Sequence, residues 1–398
     1  MASLAAAALL AGACAVGTAA RAATTEQVQT PPPADARLHA PPGFVVDVIA
    51  RVAGARELVA LPNGDLIVGR ESTSIAIVPD ADGSGVPGAP ATFASFDEDA
   101  AAGVAFGGGF VFAATEHAVW RIPYTPGARS GIAERIAAVR TGSIAPNSDG
   151  DVHASTSVAV SGDTLYVGVG SSCNACKESD PTRASILRMT LSGGATSRQA
   201  KRWRNPIAFA VDPATGNVWA GGAGQDSLPF GHPFEFMDPV STQPTESDYG
   251  WPDCEEDRVA ERRGADCAHV VVPALVFPAY STLIGAAFYP ARSEGKYAFP
   301  PAWRGGLFVT AHGSWHTRHG VPAAPPRVAF VRFAGAAPAR AVDWHDPDAQ
   351  WTDFFSGFQT ASGRRIGRPT GIAVGPQGSL FVADDEAGAI YRIRPAER

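Results

Sequence analysis

The sequence predicts an all-β chain in which residues from about Ala40 to the C-terminus form one six-bladed β-propeller. Three observations carry this expectation: a hairpin pattern that recurs along the chain, a composition suited to many tight turns, and a lone strand at the start of the folded region. With Gly 43 and Pro 33 against only 18% charged residues, the 398-residue chain is turn-rich and globular. Its length alone does not decide between one domain and two, because large all-β architectures use this much sequence for one.

The recurring unit is an apolar stretch, a glycine-containing turn and an apolar strand that ends in small or polar residues. Its copies are LVALPNGDLIVGRE, GVAFGGGFVFAATE, SVAVSGDTLYVGVG, FAVDPATGNVWAGGAG, FPPAWRGGLFVTAHGS and GIAVGPQGSLFVADDEAGAIYRI. Each reads as two adjacent antiparallel strands, with turns at Gly64, Gly109, Gly162, Gly216, Gly306 and Gly378. One hairpin per ~40 to 90 residues is how propeller blades present themselves in sequence. A pair of β-sandwiches does not explain six similar hairpins. The strand at Val45–Ala50 has no partner before it and is expected to pair with the last blade and close the ring. The long gaps bracket Asp226 to Pro300, so the fourth and fifth blades are expected to carry the large loops, where propellers build sites.

Residues 1–22 end in Ala20-Arg21-Ala22 after a small-residue apolar stretch, which fits signal-peptidase cleavage and export to the periplasm. The stretch lacks a basic n-region; a lipid anchor on Cys14 is the second reading. Residues 23–39 are polar and Pro-rich, expected to be a disordered or extended leader, and residues 40–398 form the propeller. No later apolar run approaches a membrane span. A net charge of −7 without a basic run argues against nucleic acid.

Four cysteines remain after the leader: Cys173, Cys176, Cys254 and Cys267. In an oxidising compartment two disulfides are the default, and three pairings are possible. Cys173 with Cys176 and Cys254 with Cys267 is favoured, because each closes a short polar loop. Haem attachment at Cys173-Asn174-Ala175-Cys176 would need a following His, where Lys177 stands. A redox motif would open a helix, and a zinc site would need a second pair at matching spacing.

Three segments carry polar groups that a structural repeat does not need. Asp151-Val152-His153 places an imidazole before the third hairpin, and histidine is a natural general base near neutral pH. Arg202-Trp203-Arg204-Asn205-Pro206 precedes the fourth and offers a guanidinium fork beside an amide. His312 to Arg318 follows the fifth, and Gly367-Arg368-Pro369 precedes the sixth; an aromatic plane and two cations there suit a flat, polyanionic ligand. A closed ring turns these distant segments toward one axis.

With His153, SVAVSGDTLYVGVGSSCNAC, RNPIAFAVDPATGNVWAGGAGQDSLP, DYGWPDC, STLIGAAFYP, AHGSW and GRPTGIAVGPQGSLFVADD in fixed order, the chain resembles the soluble quinoprotein glucose/sorbosone dehydrogenases, and the sorbosone branch in particular. The resemblance implies a six-bladed propeller with pyrroloquinoline quinone (PQQ) and calcium in its funnel. It implies oxidation of an aldose, a sugar aldehyde or a related alcohol, with a quinone or a c-type cytochrome as electron acceptor. His153 would be the general base that takes the substrate hydroxyl proton while hydride passes to the quinone. Arg204 would lie over the quinone oxygens with Asn205 beside it, and Arg368 and Arg318 would hold cofactor carboxylates. Thr282, Leu283 and Trp315 would pack against the cofactor ring, and the carbonyls of Gly224 and Gln225 would ligate calcium.

The chain departs from the family pattern at Ala102, Ser171, Ile207, Thr370 and Tyr280, where relatives carry other polar or charged groups. Each lost charge-assisted contact is worth ~1.5–3 kcal/mol. Two other functions are compatible with the fold: a cofactor-free propeller that acts as a binding or scaffold module, and a calcium-dependent hydrolase of the lactonase type. The latter is expected to show carboxylates converging on the axis.

Overall fold

The structure, a computed structural model, describes residues 32–83, 86–98, 100–140, 153–229, 231–318 and 320–396. Residues 1–22, expected to be a signal peptide, with Cys14 among them, residues 23–31 of the expected leader, Asp151 and Val152 lie outside the described residues, as does the side chain of Arg318.

Six sheets with antiparallel hairpin connections stand around one axis. Their innermost strands are Ala55–Ala60, Gly103–Gly107, Thr156–Ser161, Pro206–Val211, Leu283–Phe288 and Pro369–Val374, in blades 1 to 6. The lone N-terminal strand, Phe44–Arg51, pairs antiparallel with Ala389–Pro395 and completes blade 6, so the two ends of the chain close the ring as expected. Residues 32–39 are docked beside this closure: Pro33 bridges Asp47, His39 bridges Ser356, and Leu38 is buried.

Each blade is covered on both faces, so neighbouring residues of one strand serve opposite interfaces. Ile67 packs toward blade 2 and Val68 toward blade 6; Val111 packs toward blade 1 and Phe112 toward blade 3; Val309 packs toward blade 4 and Phe308 toward blade 6. An apolar cluster fills each interface between neighbouring blades. A fully buried residue such as Phe112 or Phe308 contributes about 1.5–3 kcal/mol by its removal from water. Near the axis the inner strands crowd together, and a Cβ on Gly371 would sit 2.2 Å from the Arg56 carbonyl oxygen. Only glycine fits there.

One expected hairpin is corrected. The partner of Leu307–Ala311 is Leu283–Phe288, not the stretch just before Gly306. Pro301–Trp303 is a short 3-10 turn, because Pro300 and Pro301 bring no N–H to a ladder.

The largest loop runs from Asp238 to Leu275 within blade 4. It reaches back to blade 3, where Ser247–Asp248 pairs in parallel with Ala200–Lys201. Cys254 and Cys267 are bonded inside it, and Cys173 and Cys176 are bonded in the loop after Thr164–Val169, the pairing favoured from sequence. Closing the 13-residue separation restrains the unfolded chain by about 3 kcal/mol on the loop-entropy model. Among the described residues no helix is long and apolar enough to cross a membrane.

Candidate active site

The ends of the inner strands and the loops after them surround a funnel of about 650 Å³. His153, Arg204, Asn205, Gly224, Thr282, Trp315 and Arg368 line it, drawn together from blades 3 to 6. Two expected residues do not line it. Leu283 is fully buried with Trp219, Met237 and Phe277, since strand alternation sends Thr282 and Ile284 to the funnel and Leu283 into the core. Gln225 lines a smaller neighbouring cavity with Glu235, Glu255 and Glu256.

Two neutral groups of Ser171 hold the His153 ring. Its Nδ1 lies 2.9 Å from both the Ser171 carbonyl oxygen and Ser171 Oγ, while Ser171 Oγ donates to the Cys173 carbonyl. A carbonyl only accepts, so this network places the proton on Nδ1 and the basic lone pair on Nε2. Ser171, one of the departures, thus gives the imidazole a neutral hydroxyl partner. The backbone of His153, Ala154 and Ser155 is held from below by Arg140, which donates to all three carbonyls at 2.5, 2.5 and 2.9 Å. Nothing in the sequence singled out Arg140, which lies two residues beyond the strand Glu134–Ala138.

Arg204 forms the adjoining wall and is only 5% exposed. Nε donates to the Asn174 carbonyl at 3.1 Å, Nη2 to Asn174 Oδ1 at 2.9 Å, and Nη2 to Asp226 Oδ2 at 2.7 Å. Burial lowers its pKa, and Asp226 and Glu235 oppose that shift. Asp226 also accepts from His316 at 3.0 Å, and the His316 ring packs on Tyr280 at 4.6 Å. The Ser171 N–H donates to the Arg204 carbonyl, which ties this wall to that of His153. Beside it, Asn205 Oδ1 is buried and has no hydrogen-bond partner among the described residues. Gly170 leaves room for it, as a Cβ there would lie 2.5 Å away.

Arg368 forms the opposite wall. Nε and Nη2 donate to the carbonyls of His312 and Gly313 at 3.0 and 2.9 Å, its backbone N–H donates to Asp384, and its guanidinium lies 4.9 Å over the Trp315 ring. Burial, with Arg365 nearby, pushes its pKa down to about 10, so it stays charged at neutral pH. His312 sits 3.0 Å from Asp385, which also accepts from Arg56 at 3.0 Å. Burial lowers His312 to about 4 despite that carboxylate.

Glu235 is the residue sequence reasoning missed most completely. It is fully buried, accepts the Gly224 N–H at 2.7 Å, and burial raises it to about 8 even with Arg204 near. A buried carboxyl without a full charge partner fits a cation, and an oxygen donor beside Gly224 is what calcium takes. The departures have structural roles: Thr370 donates to the Ala55 carbonyl and joins blade 6 to blade 1, and Ile207 presents an apolar side chain to the funnel. Tyr280 and Thr282, which both line the funnel, have φ of 66° and 53°, a left-handed conformation costly for such residues.

This geometry can be set beside known proteins. Residues 254–396 match the TrAA12-like family model. The chain superposes on a carbohydrate-active enzyme of family AA12 from Trichoderma reesei with a TM-score of 0.71 at 18% identity, over 90% of this chain and 98% of that one. It also superposes on the PQQ domain of pyranose dehydrogenase from Coprinopsis cinerea, solved in its holo form, with a TM-score of 0.69 at 17% identity, over 90% and 97%. The soluble aldose sugar dehydrogenase of Escherichia coli gives 0.60 at 16% identity, over 89% and 100%. The chain shares their fold. No curated protein matches it. The TrAA12-like match takes in the last strand of blade 4, all of blade 5 and the blade 6 strands from Pro369 onward, with His312, Trp315, Arg368 and Asp385; it leaves out His153, Arg204 and Asn205.

Proposed function

We propose that the chain is an exported, periplasmic dehydrogenase that uses PQQ and calcium to oxidise an aldose, a sugar aldehyde or a related alcohol, and passes the electrons to a quinone or a c-type cytochrome. The observation that carries this reading is the convergence of His153 and the buried guanidiniums of Arg204 and Arg368 on a single funnel from three blades. The printed descriptions of the superposed enzymes, a PQQ domain and a sugar dehydrogenase among them, favour the same cofactor.

The residues fit the cofactor. Arg204 and Arg368, with Arg56 behind Asp385, supply cationic donors for a polyanion, and the exposed Trp315 offers a ring face. Gly224 and Glu235 would provide oxygen ligands for calcium. When bound, PQQ supplies a two-electron quinone acceptor for hydride. The protein's own work is to hold the proton and the charge. His153 takes the substrate hydroxyl proton at Nε2, because Ser171 fixes the proton on Nδ1. Arg204, held by Asn174 and Asp226, directs its guanidinium at the charge that develops in the transition state, and the rigid rim keeps donor and acceptor aligned.

A second reading, the lactonase-type hydrolase, gains one observation: Glu71, Asp226, Glu235 and Asp385 do line the funnel. Against it, Asp226 pairs with Arg204, and Asp385 and Glu71 pair with Arg56.

The deciding experiment is reconstitution of the purified protein with PQQ and calcium, followed by dye reduction with a panel of aldoses and aldehydes. The expected result is a bound-cofactor spectrum and dye reduction that needs both additions. Absence of both overturns the dehydrogenase reading, and lactone hydrolysis without PQQ supports the second.

A further inference from the structure

Between the funnel and the outer face of blade 3 lies a wall one loop thick, Cys173-Asn174-Ala175-Cys176. On the outside, half-buried Cys176 opens on a side cavity of about 460 Å³ shared with Lys177, Arg183 and Arg202. On the inside, Asn174 lines the funnel. Its short side chain is fully engaged in setting the neighbouring groups. Oδ1 accepts from Arg204 Nη2 at 2.9 Å and from the Asp226 N–H at 2.8 Å, and Nδ2 donates to the Asp226 carbonyl at 2.9 Å. The Asn174 carbonyl accepts from Arg204 Nε at 3.1 Å and from Trp251 Nε1 at 3.0 Å. Asp226 in turn accepts from Arg204 and His316.

The position of Asn174 is therefore decisive for two residues that carry charge into the site, and loop backbone would not by itself hold it there. The disulfide spans it on either side, and the bridge packs with Ala184 against the indole of Trp251, whose N–H holds the Asn174 carbonyl. The Ser172 N–H and hydroxyl, both bonded to Glu178 at 2.7 and 2.9 Å, close the loop around the bridge.

We propose that Asn174, clamped by the Cys173–Cys176 disulfide, is the positioning residue that aims Arg204 and Asp226 into the funnel, so that the oxidised bridge is part of the ligand site. The statement about ligand rests on the dehydrogenase reading above; the statement about Arg204 and Asp226 does not. Because Cys176 borders the side cavity, a dithiol can reach the bridge from outside. In that exchange the disulfide takes two electrons and two protons and becomes two thiols, and the dithiol closes to its own cyclic disulfide.

The test compares the wild-type protein, Asn174→Ala, Cys173→Ser/Cys176→Ser and the triple variant in two measurements. Hydrogen exchange of a peptide across residues 222–229, in protein without PQQ, reads the Asp226 amide that Asn174 holds. Titration with PQQ in the presence of calcium reads affinity. Each of the first two variants is expected to speed exchange at Asp226 and weaken PQQ binding by about tenfold, the scale of one or two buried hydrogen bonds. The triple variant is expected to lose no more than either, because a clamp that acts through Asn174 has nothing left to hold. Asn174→Ala keeps both disulfides, so it still reports should the serine pair fold poorly. Unchanged protection at Asp226 in Asn174→Ala overturns the proposal, and so do losses that add in the triple variant. A wild-type protein that binds no PQQ overturns the dehydrogenase reading and leaves the exchange measurement to decide the role of Asn174.

Discussion

The two cationic walls of the funnel hold their guanidiniums in different ways. Arg204 is gripped mainly by Asn174 and Asp226, both on loops, with a long contact to the Ala223 carbonyl. Arg368 is gripped by two main-chain carbonyls directly after Leu307–Ala311, the second strand of blade 5, and is roofed by Trp315. A wall anchored in the strand ladder moves only if the sheet moves; a wall built from loop side chains can be retuned residue by residue. The TrAA12-like match covers the first kind of wall and stops short of the second, although His153 stands beside Arg204. The matched part of the chain thus holds the scaffolded wall, and His153, the proposed base, lies outside it.

The largest effect should come from the loop-built side. His153→Gln keeps a side chain of similar reach but removes the basic Nε2, so turnover in the reconstituted enzyme is expected to fall by about 10²–10⁴. PQQ affinity, measured by spectral titration, should stay within about threefold, since the change removes no contact to the anionic groups. Intact turnover would place the base on another residue.

The walls themselves can be compared by matched substitutions. Arg204→Lys leaves Asn174 and Asp226 with water within reach, Asp226 being 41% exposed at its side chain, so binding should suffer more than folding. PQQ affinity is expected to drop about 10- to 100-fold, because an ammonium cannot reproduce the fork. Arg368→Lys strands the His312 and Gly313 carbonyls, and stability measured by denaturant melts is expected to fall by about 1–3 kcal/mol. The reverse pattern, stability lost at Arg204 and affinity at Arg368, would break the distinction between the walls.

How far the sequence reached follows the same division. Strand-borne features were legible because they repeat: the inner hairpins, the closing strand Phe44–Arg51 and Arg368 just before an inner strand all follow from period-two patterns and turn glycines. The fifth hairpin was misplaced because an 18-residue connection separates its true strands, and the nearer apolar stretch was made of prolines and a 3-10 turn. Leu283 shows the one-residue limit of motif reading: it adjoins Thr282, yet alternation puts it on the other face. Arg140, Asn174, Asp226 and Glu235 were invisible as site residues. Each acquires its role from a partner 11 to 30 residues away, and no spacing in the sequence encodes a meeting between a disulfide loop of blade 3 and a loop of blade 4.

The scaffolded wall should also show its own response to acid. Burial lowers His312 from its ordinary 6.5 to about 4, so the folded protein holds it neutral where the unfolded chain would bind a proton. Its contribution to stability is fully present above pH 6.5 and is lost as pH falls toward 4. His312→Asn should remove about 1–3 kcal/mol of pH-dependent destabilisation across that window, read as a flatter plot of unfolding free energy against pH. A slope unchanged by the substitution would assign the acid response to other groups.

The smallest effect expected on stability comes from the roof of the same wall. Trp315 is 77% exposed, so truncation removes little buried apolar surface. Its contact with the Arg368 guanidinium is worth about 0.5–1 kcal/mol at an exposed site, and Trp315→Ala should lower stability by no more than that. Affinity is the sharper readout. An aromatic face that is poorly covered in the protein but lies beside a paired cation gains its packing from a bound ring, and PQQ binding is expected to weaken by about tenfold while melts barely shift. Equal affinity in Trp315→Ala and wild type would show that the indole serves only to shield Arg368, and would leave the strand-anchored carbonyls as the whole of that wall's grip.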